Sequence, residues 1–202
     1  AQHESLSHQG LEVAYSALTQ KQYLIASKFH LMEQWGVEYV VLRGQPLECN
    51  EAHPDIDVLV AHYAQACLVL TGTLCLRRNI AMQGVHVDGI YFDLRTIGDR
   101  YYPEHWATEM LRRRERHADG LFHLNEVDQY YALLYHAVVH KGHIGNGYLR
   151  TVTSLRSDCV LTEELRSWST CLQTWMAERY EFAETCHNCG GLYLKELNLS
   201  DS

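Results

Sequence analysis

The chain of 202 residues has room for one domain, or one with a small appendage, which excludes a large multidomain enzyme. With 47% hydrophobic residues, 21% charged residues and three prolines, it has the composition of a folded protein and not of a disordered or collagenous one. A net charge of −8 argues against broad electrostatic binding to nucleic acid or to an anionic membrane, although a local basic patch stays open.

No run of 18 apolar residues exists and residues 1–10 are polar, so the expectation is a cytoplasmic protein without a membrane span. The cysteines are Cys49, Cys67, Cys75, Cys159, Cys171, Cys186 and Cys189, odd in number and scattered. That suits free thiols in a reducing compartment better than a disulfide framework.

In chain order, Leu18, Ile25, Phe29 and Met32 fall on one helical face, and Gly36 supplies a stop, which predicts a helix over 18–36. Residues 37–42 are apolar and β-branched, a buried strand that runs into the turn Arg43-Gly44-Gln45-Pro46. Residues 54–60 form a second strand whose first half carries Asp55 and Asp57. Residues 61–70 are apolar at helical spacing. Asp88-Gly89 then joins two alternating stretches, 85–87 and 90–94, as a hairpin, since a type I′ turn needs positive φ at both central positions. In its second arm Ile90, Phe92 and Leu94 point one way, and Tyr91, Asp93 and Arg95 the other.

Pro103 opens a helix expected to run through Trp106 and Met110 to Arg116. Asn125 caps another over 126–141, with Val127, Tyr131, Leu134 and Val138 as its apolar stripe. Leu165, Trp168, Leu172 and Trp175 predict a last helix. The fold class this implies is α/β (α+β), a mixed-sheet domain over 11–120 and a helical C-terminal domain over 121–202.

Asp55 and Asp57, two apart on a strand, share one face, and Asp93 on a later strand is placed to join them. Three carboxylates within about 4 Å would repel by roughly 4 kcal/mol per pair at an effective dielectric of about 20, so a cation belongs among them. All-oxygen ligands of this hardness select Mg²⁺ or Mn²⁺, ions that serve phosphoryl and nucleotidyl transfer.

The order of a hydrophobic strand, Gly44 in the turn, Asp55-Ile56-Asp57-Val58 eleven residues on, and a later Asp93 resembles the nucleotidyltransferase superfamily with the polymerase β type fold. Val41-Leu42-Arg43-Gly44 followed by the acidic strand is similar in wording to uncharacterised bacterial nucleotidyltransferase-like proteins with a Leu-Lys-Gly turn. Lincosamide and aminoglycoside nucleotidyltransferases and the fukutin-related phosphocholine transferases carry comparable acid-x-acid strands. The resemblance implies an enzyme that takes a nucleotidyl group from an NTP to a hydroxyl of a small molecule or carbohydrate. It implies catalytic and metal-binding roles for Asp55, Asp57 and Asp93, and donor binding by Gly44, Arg43 and Gln45. Pro46 departs from the family's Gly-Ser or Gly-Gly turn and has no N–H for a phosphate, a loss that Arg43 can offset with a planar fork.

Other readings stand beside this one. Asp55 and Asp57 suit a solvated strand entry, Asp93 an ordinary polar face and Asp88 a turn. A GT-A type Asp-x-Asp ends its hydrophobic strand, whereas here Val58-Leu59-Val60 follows the pair. A phospho-sugar or phospho-alcohol transferase with a nucleotide donor, or a non-catalytic antitoxin-like module on the same fold, is the alternative. Arg112, Arg113, Arg114 and Arg116 suit a solvated helix end, or else a patch that steers phosphates. His136 and His140, four apart beside His143 and Lys141, lack the Glu of a zinc-protease helix, so a contact of His140 or Lys141 to phosphate is the better expectation. Cys186 and Cys189 have no partner pair at zinc-ribbon spacing. Tyr101 and Trp106 are candidates for stacking on a base.

Overall fold

The computed structural model describes residues 19–48, 55–71, 84–145, 147–155, 162 and 164–179. Helix α1, Gln20–Gln34, begins at a capping box: Thr19 accepts the N–H of Gln22, whose side chain reaches back to the Thr19 N–H. Gly36, at φ +67°, turns the chain out of the helix into β1, Tyr39–Val41. Strand β2, Asp55–Val60, is followed by α2, Tyr63–Thr71. Strands β3, Gly84–Val87, and β4, Ile90–Thr96, form the hairpin, with Asp88 and Gly89 at φ 52° and 80° as its turn requires. Asp88 is thus the turn residue, facing Lys28 of α1 at 3.6 Å.

Helix α3 is Glu104–Arg112, and β5, Glu115–Arg116, pairs with β6, Phe122–His123. Helix α4, Glu126–Tyr135, is capped by the Asn125 side chain and continues as a π-helical turn, His136–Lys141, that stops at Gly142 in the left-handed region. Helices α5, Tyr148–Leu155, and α6, Leu165–Ala177, complete the described chain.

The sheet is mixed, in the order β3-β4-β2-β1-β6-β5, with β2/β4 and β1/β6 parallel and the other pairs antiparallel. This is the α+β class that the sequence predicts. The sheet takes β6 from beyond residue 120, where the sequence suggests a boundary.

Alternation along the strands splits the core into two layers. Tyr39 and Val41 of β1, Ile56, Val58 and Val60 of β2, and Ile90, Phe92 and Leu94 of β4 pack with Ile25, Phe29 and Met32 of α1 and Cys67 and Leu70 of α2. Val40, Leu42 and Leu59 point the other way, into Trp106 and Met110 of α3, Tyr130 and Leu134 of α4, and Trp168 and Leu172 of α6. Each such fully buried side chain contributes about 1.5–3 kcal/mol by leaving water. On the second face the apolar covering reaches Leu59 but not the start of β2, and that uncovered end carries the acids.

Three elements differ from expectation. The helix from Pro103 ends at Arg112 and not at Arg116, because residues 115–116 take their backbone hydrogen bonds from β6. The arginines there hold acids of other elements: Arg113 on Asp128 at 2.9 Å, Arg114 on Glu38 at 3.4 Å and Arg116 on Glu33 at 2.9 Å. Arg114 and Arg116 also lie over the Phe122 ring, 4.8 and 4.1 Å from its centroid, so this cluster ties the sheet edge together. The helix from Asn125 is α-helical only to Tyr135, and Val127, expected on its apolar stripe, is exposed while Tyr131, Leu134 and Val138 are buried.

Cys67 is buried and Cys171 half-buried. The other five cysteines, with the Cys186–Cys189 pair, lie outside the described residues.

Candidate active site

Asp57 and Asp93 are direct neighbours across the parallel β2/β4 pair, and Asp55 is level with Tyr91. Residues in register on parallel strands point to one side, so Asp55, Asp57, Tyr91, Asp93 and Arg95 share the face opposite Ile56, Val58 and Phe92. Asp55 stands exposed at the strand entry; Asp57 and Asp93 are half-buried.

Each of the two inner acids holds an arginine. Leu42 N–H donates to the Asp57 carbonyl at 2.9 Å, which carries the β1/β2 pairing past the end of β1 and brings Arg43 to the acids. The Arg43 guanidinium grips Asp57 by both oxygens, Nε on Oδ2 at 3.2 Å and Nη2 on Oδ1. Arg95 donates through Nη2 to Asp93 Oδ2 at 2.8 Å. Asp55 has neither a hydrogen bond nor an ion pair to another described residue. Burial raises its carboxyl above the ordinary range, and the charges of Asp57 and Asp93 add to this. Asp57 is raised as well: burial outweighs the pull of Arg43, and Asp93 repels it.

Both arginines meet Tyr101. Arg43 Nη1 donates to its hydroxyl at 3.3 Å, and Arg95 lies over its ring, 4.2 Å from the centroid. His140 stacks on the same ring at 3.8 Å, which leaves the opposite face to Arg95. The Tyr101 hydroxyl meets His136 Nδ1 at 3.0 Å. The hydroxyl has one proton and two lone pairs, so with Arg43 on one lone pair it can serve either tautomer of the imidazole. Burial, followed by the charge of Arg43, depresses His136 to about 2 and His140 to about 3, so both rings are neutral at ordinary pH. Tyr101 itself is set by Asp99, whose carboxylate accepts the N–H groups of Tyr101 at 2.8 Å and Thr96 at 3.0 Å.

Several polar atoms here are buried without a hydrogen-bond partner among the described residues: Arg95 Nε, Tyr102 Oη, Tyr135 Oη and His140 Nε2. Buried polar atoms of this kind are few in folded proteins and mark a place where a ligand or water completes the network.

Arg43 therefore lies against the acids, on Asp57. Gly44, at φ +74°, bends the chain away, and Gly44 and Gln45 are exposed. The Gln45 carbonyl accepts the Glu48 N–H at 3.0 Å, which places Pro46 at the second position of a β-turn, where a fixed φ is favoured and no N–H is needed. His140 is buried, uncharged and stacked on Tyr101, and His143 turns to the Lys141 carbonyl at 3.1 Å. Trp106 is committed to the core, its Nε1 donating to Asp128 at 2.9 Å. Among the described residues, no group of three His, Cys, Asp or Glu side chains is arranged to hold a metal ion.

Tyr91 and Arg95 were visible on the polar face of the second hairpin arm, and alternation alone would have nominated them. Nothing local signals that Tyr101 meets Arg43 and Arg95 with Asp99, His136 and His140 around it, because the loop after β4 and the π-helical turn, distant in sequence, bring them together. No family model matches the chain, and no curated protein or solved structure matches it.

Proposed function

We propose that this protein is a Mg²⁺- or Mn²⁺-dependent nucleotidyltransferase that moves a nucleotidyl group from an NTP to a hydroxyl of a small molecule or carbohydrate. The observation that supports it is the register of β2 and β4, which sets Asp57 beside Asp93 on one polar face with Asp55 at its rim. The donors suit such an ion in kind: three hard carboxylates, one of them without a partner among the described residues, beside buried polar atoms that lack theirs. A divalent ion, when bound, supplies Lewis-acid polarisation of the donor phosphates.

Asp55 and Asp57 are the residues that would hold the ion, and Arg43, with the exposed Gly44 amide, faces the phosphates. Asp93 orients the acceptor hydroxyl and takes its proton. The acceptor oxygen forms a bond to the α-phosphorus, the α–β phosphoanhydride bond breaks, and pyrophosphate leaves with the electron pair. The neutral Tyr101, His136 and His140 form the wall that holds Arg43.

A second reading, a non-catalytic binding module, draws on the same arginines, which neutralise two of the three acids. Thermal-shift titration with NTPs, with and without Mg²⁺, separates the two readings. The enzyme is expected to gain several degrees only when both are present, and Asp93→Asn to keep that gain while turnover falls by at least a hundredfold. A wild-type protein that no nucleotide stabilises, with or without Mg²⁺, would refute the enzyme.

A further inference from the structure

The acids and the arginines compete for one another, and the structure puts the competition on Asp57. Both its oxygens lie on the Arg43 fork, in a place where the two side chains are only 18% and 14% exposed, so water does little to loosen the pair. Arg43 has a second hold that does not depend on Asp57. Its Nη1 donates to Tyr101 Oη, and Tyr101 is anchored by His136, by Asp99 and by the stacked His140. Arg95 repeats the pattern, one amino group on Asp93 and its plane on the Tyr101 ring.

We propose that Arg43 is a latch: it closes Asp57 to a free divalent cation, and the polyphosphate of the donor opens the site by drawing the guanidinium off the carboxylate while Tyr101 keeps it at hand. This rests on the nucleotidyltransferase reading and deepens it, since it fixes the order of binding. Free metal is excluded from the resting site, and metal enters with the polyphosphate. Charge balance gives the reason. With Arg43 and Arg95 in place the three acids carry one net negative charge, too little to hold a dication against its hydration. Once the polyphosphate engages the arginines, the carboxylates regain their full charge. Arg43 meets the donor directly in this scheme, and Tyr101 is the positioning residue to which it is tethered.

The test is binding of Mn²⁺ alone, and of Mn²⁺ with inorganic tripolyphosphate, to the full chain, read as protein-bound Mn²⁺ in equilibrium dialysis against the same Mn²⁺ and tripolyphosphate. Three proteins are compared: wild type, Arg43→Gln and Arg43→Lys. Arg43→Gln removes the fork and the charge. Arg43→Lys keeps a cation beside buried Asp57, which protects the fold, but a point charge cannot cover both oxygens. Mn²⁺ alone should bind Arg43→Gln at least tenfold more tightly than wild type, with Arg43→Lys between them. Tripolyphosphate should abolish or invert that order. Equal affinity for Mn²⁺ alone in all three proteins overturns the latch and leaves the metal site standing. Absence of Mn²⁺ binding in every protein, with and without tripolyphosphate, overturns the latch and the nucleotidyltransferase reading together.

Discussion

Asp55 and Asp57 look equivalent in the sequence, and the structure gives them different energetics. Asp55 is exposed, carries no counter-ion among the described residues and is repelled by its neighbours, so Asp55→Asn should leave the protein without ligand as stable or slightly more so. Asp57 neutralises a mostly buried guanidinium, and Asp57→Asn leaves Arg43 with Tyr101 alone. Removing one member of a buried pair costs more than the pair contributes, because the other charge stays in place. The expected loss is about 2–3 kcal/mol, at the low end because both side chains keep some solvent. Urea unfolding of the two variants decides the matter, and equal midpoints would mean that the Arg43 fork carries no stability. The expectation from three carboxylates alone, mutual repulsion relieved by a cation, holds for Asp55. For Asp57 the relief already comes from Arg43.

At the scale of elements, the junction between α3 and α4 rests on one carboxylate. Asp128, in the first turn of α4 and fully buried, accepts from Trp106 Nε1 at 2.9 Å, Asn125 Nδ2 at 2.9 Å and Arg113 Nη2 at 2.9 Å. It also favours the N-terminal end of the helix dipole, and its own N–H is the one that the Asn125 cap receives. Asp128→Ala removes the buried acceptor shared by Trp106 Nε1 and Arg113, which keeps Glu109 at 3.6 Å, so it should cost about 2–3 kcal/mol in chemical denaturation. A loss under about 1 kcal/mol would show that these elements are held by apolar packing alone. Farther along α4, the π-helical turn matters to the site. The wider i→i+5 turn, ended by Gly142, carries His136 to the Tyr101 hydroxyl and His140 to its ring. Sequence periodicity at 3.6 residues reads this stretch as an ordinary helix and has no means to place those two side chains.

For the molecule as a whole, the neutral histidines set a pH dependence. The unfolded chain protonates His136 and His140 below about pH 6.5, while the folded chain resists until about pH 2 and about pH 3. Between those limits the unfolded state holds more protons, so stability is complete above about 6.5 and falls as pH falls. Each histidine contributes about 1.4 kcal/mol per pH unit, and denaturation midpoints between pH 7.5 and 5.5 should drop accordingly. Asp55, whose carboxyl is raised, acts with the opposite sign, but in the lower, carboxylate range. His136→Phe and His140→Phe should each flatten the slope. A wild-type curve that stays level down to pH 5.5 would mean that these rings take up protons in the folded state.

The sequence by itself determined the elements whose signals are local. The hairpin was legible in Asp88-Gly89, the strands in their β-branched runs, the helix starts in Asn125 and Pro103, and the shared polar face in the two-residue period of Asp55, Asp57 and Asp93. A period is a property of neighbours in the chain, and so it survives without the fold. The tertiary structure alone decided that β2 and β4 are adjacent and in register, that the helix beyond Arg112 gives way to a strand, and that Arg43 turns onto Asp57. It alone brought His136 and His140 to Tyr101, and Tyr101 to Arg43 and Arg95. Those placements depend on which residues far apart in sequence bury each other's polar groups, and a burial partner leaves no trace in local spacing.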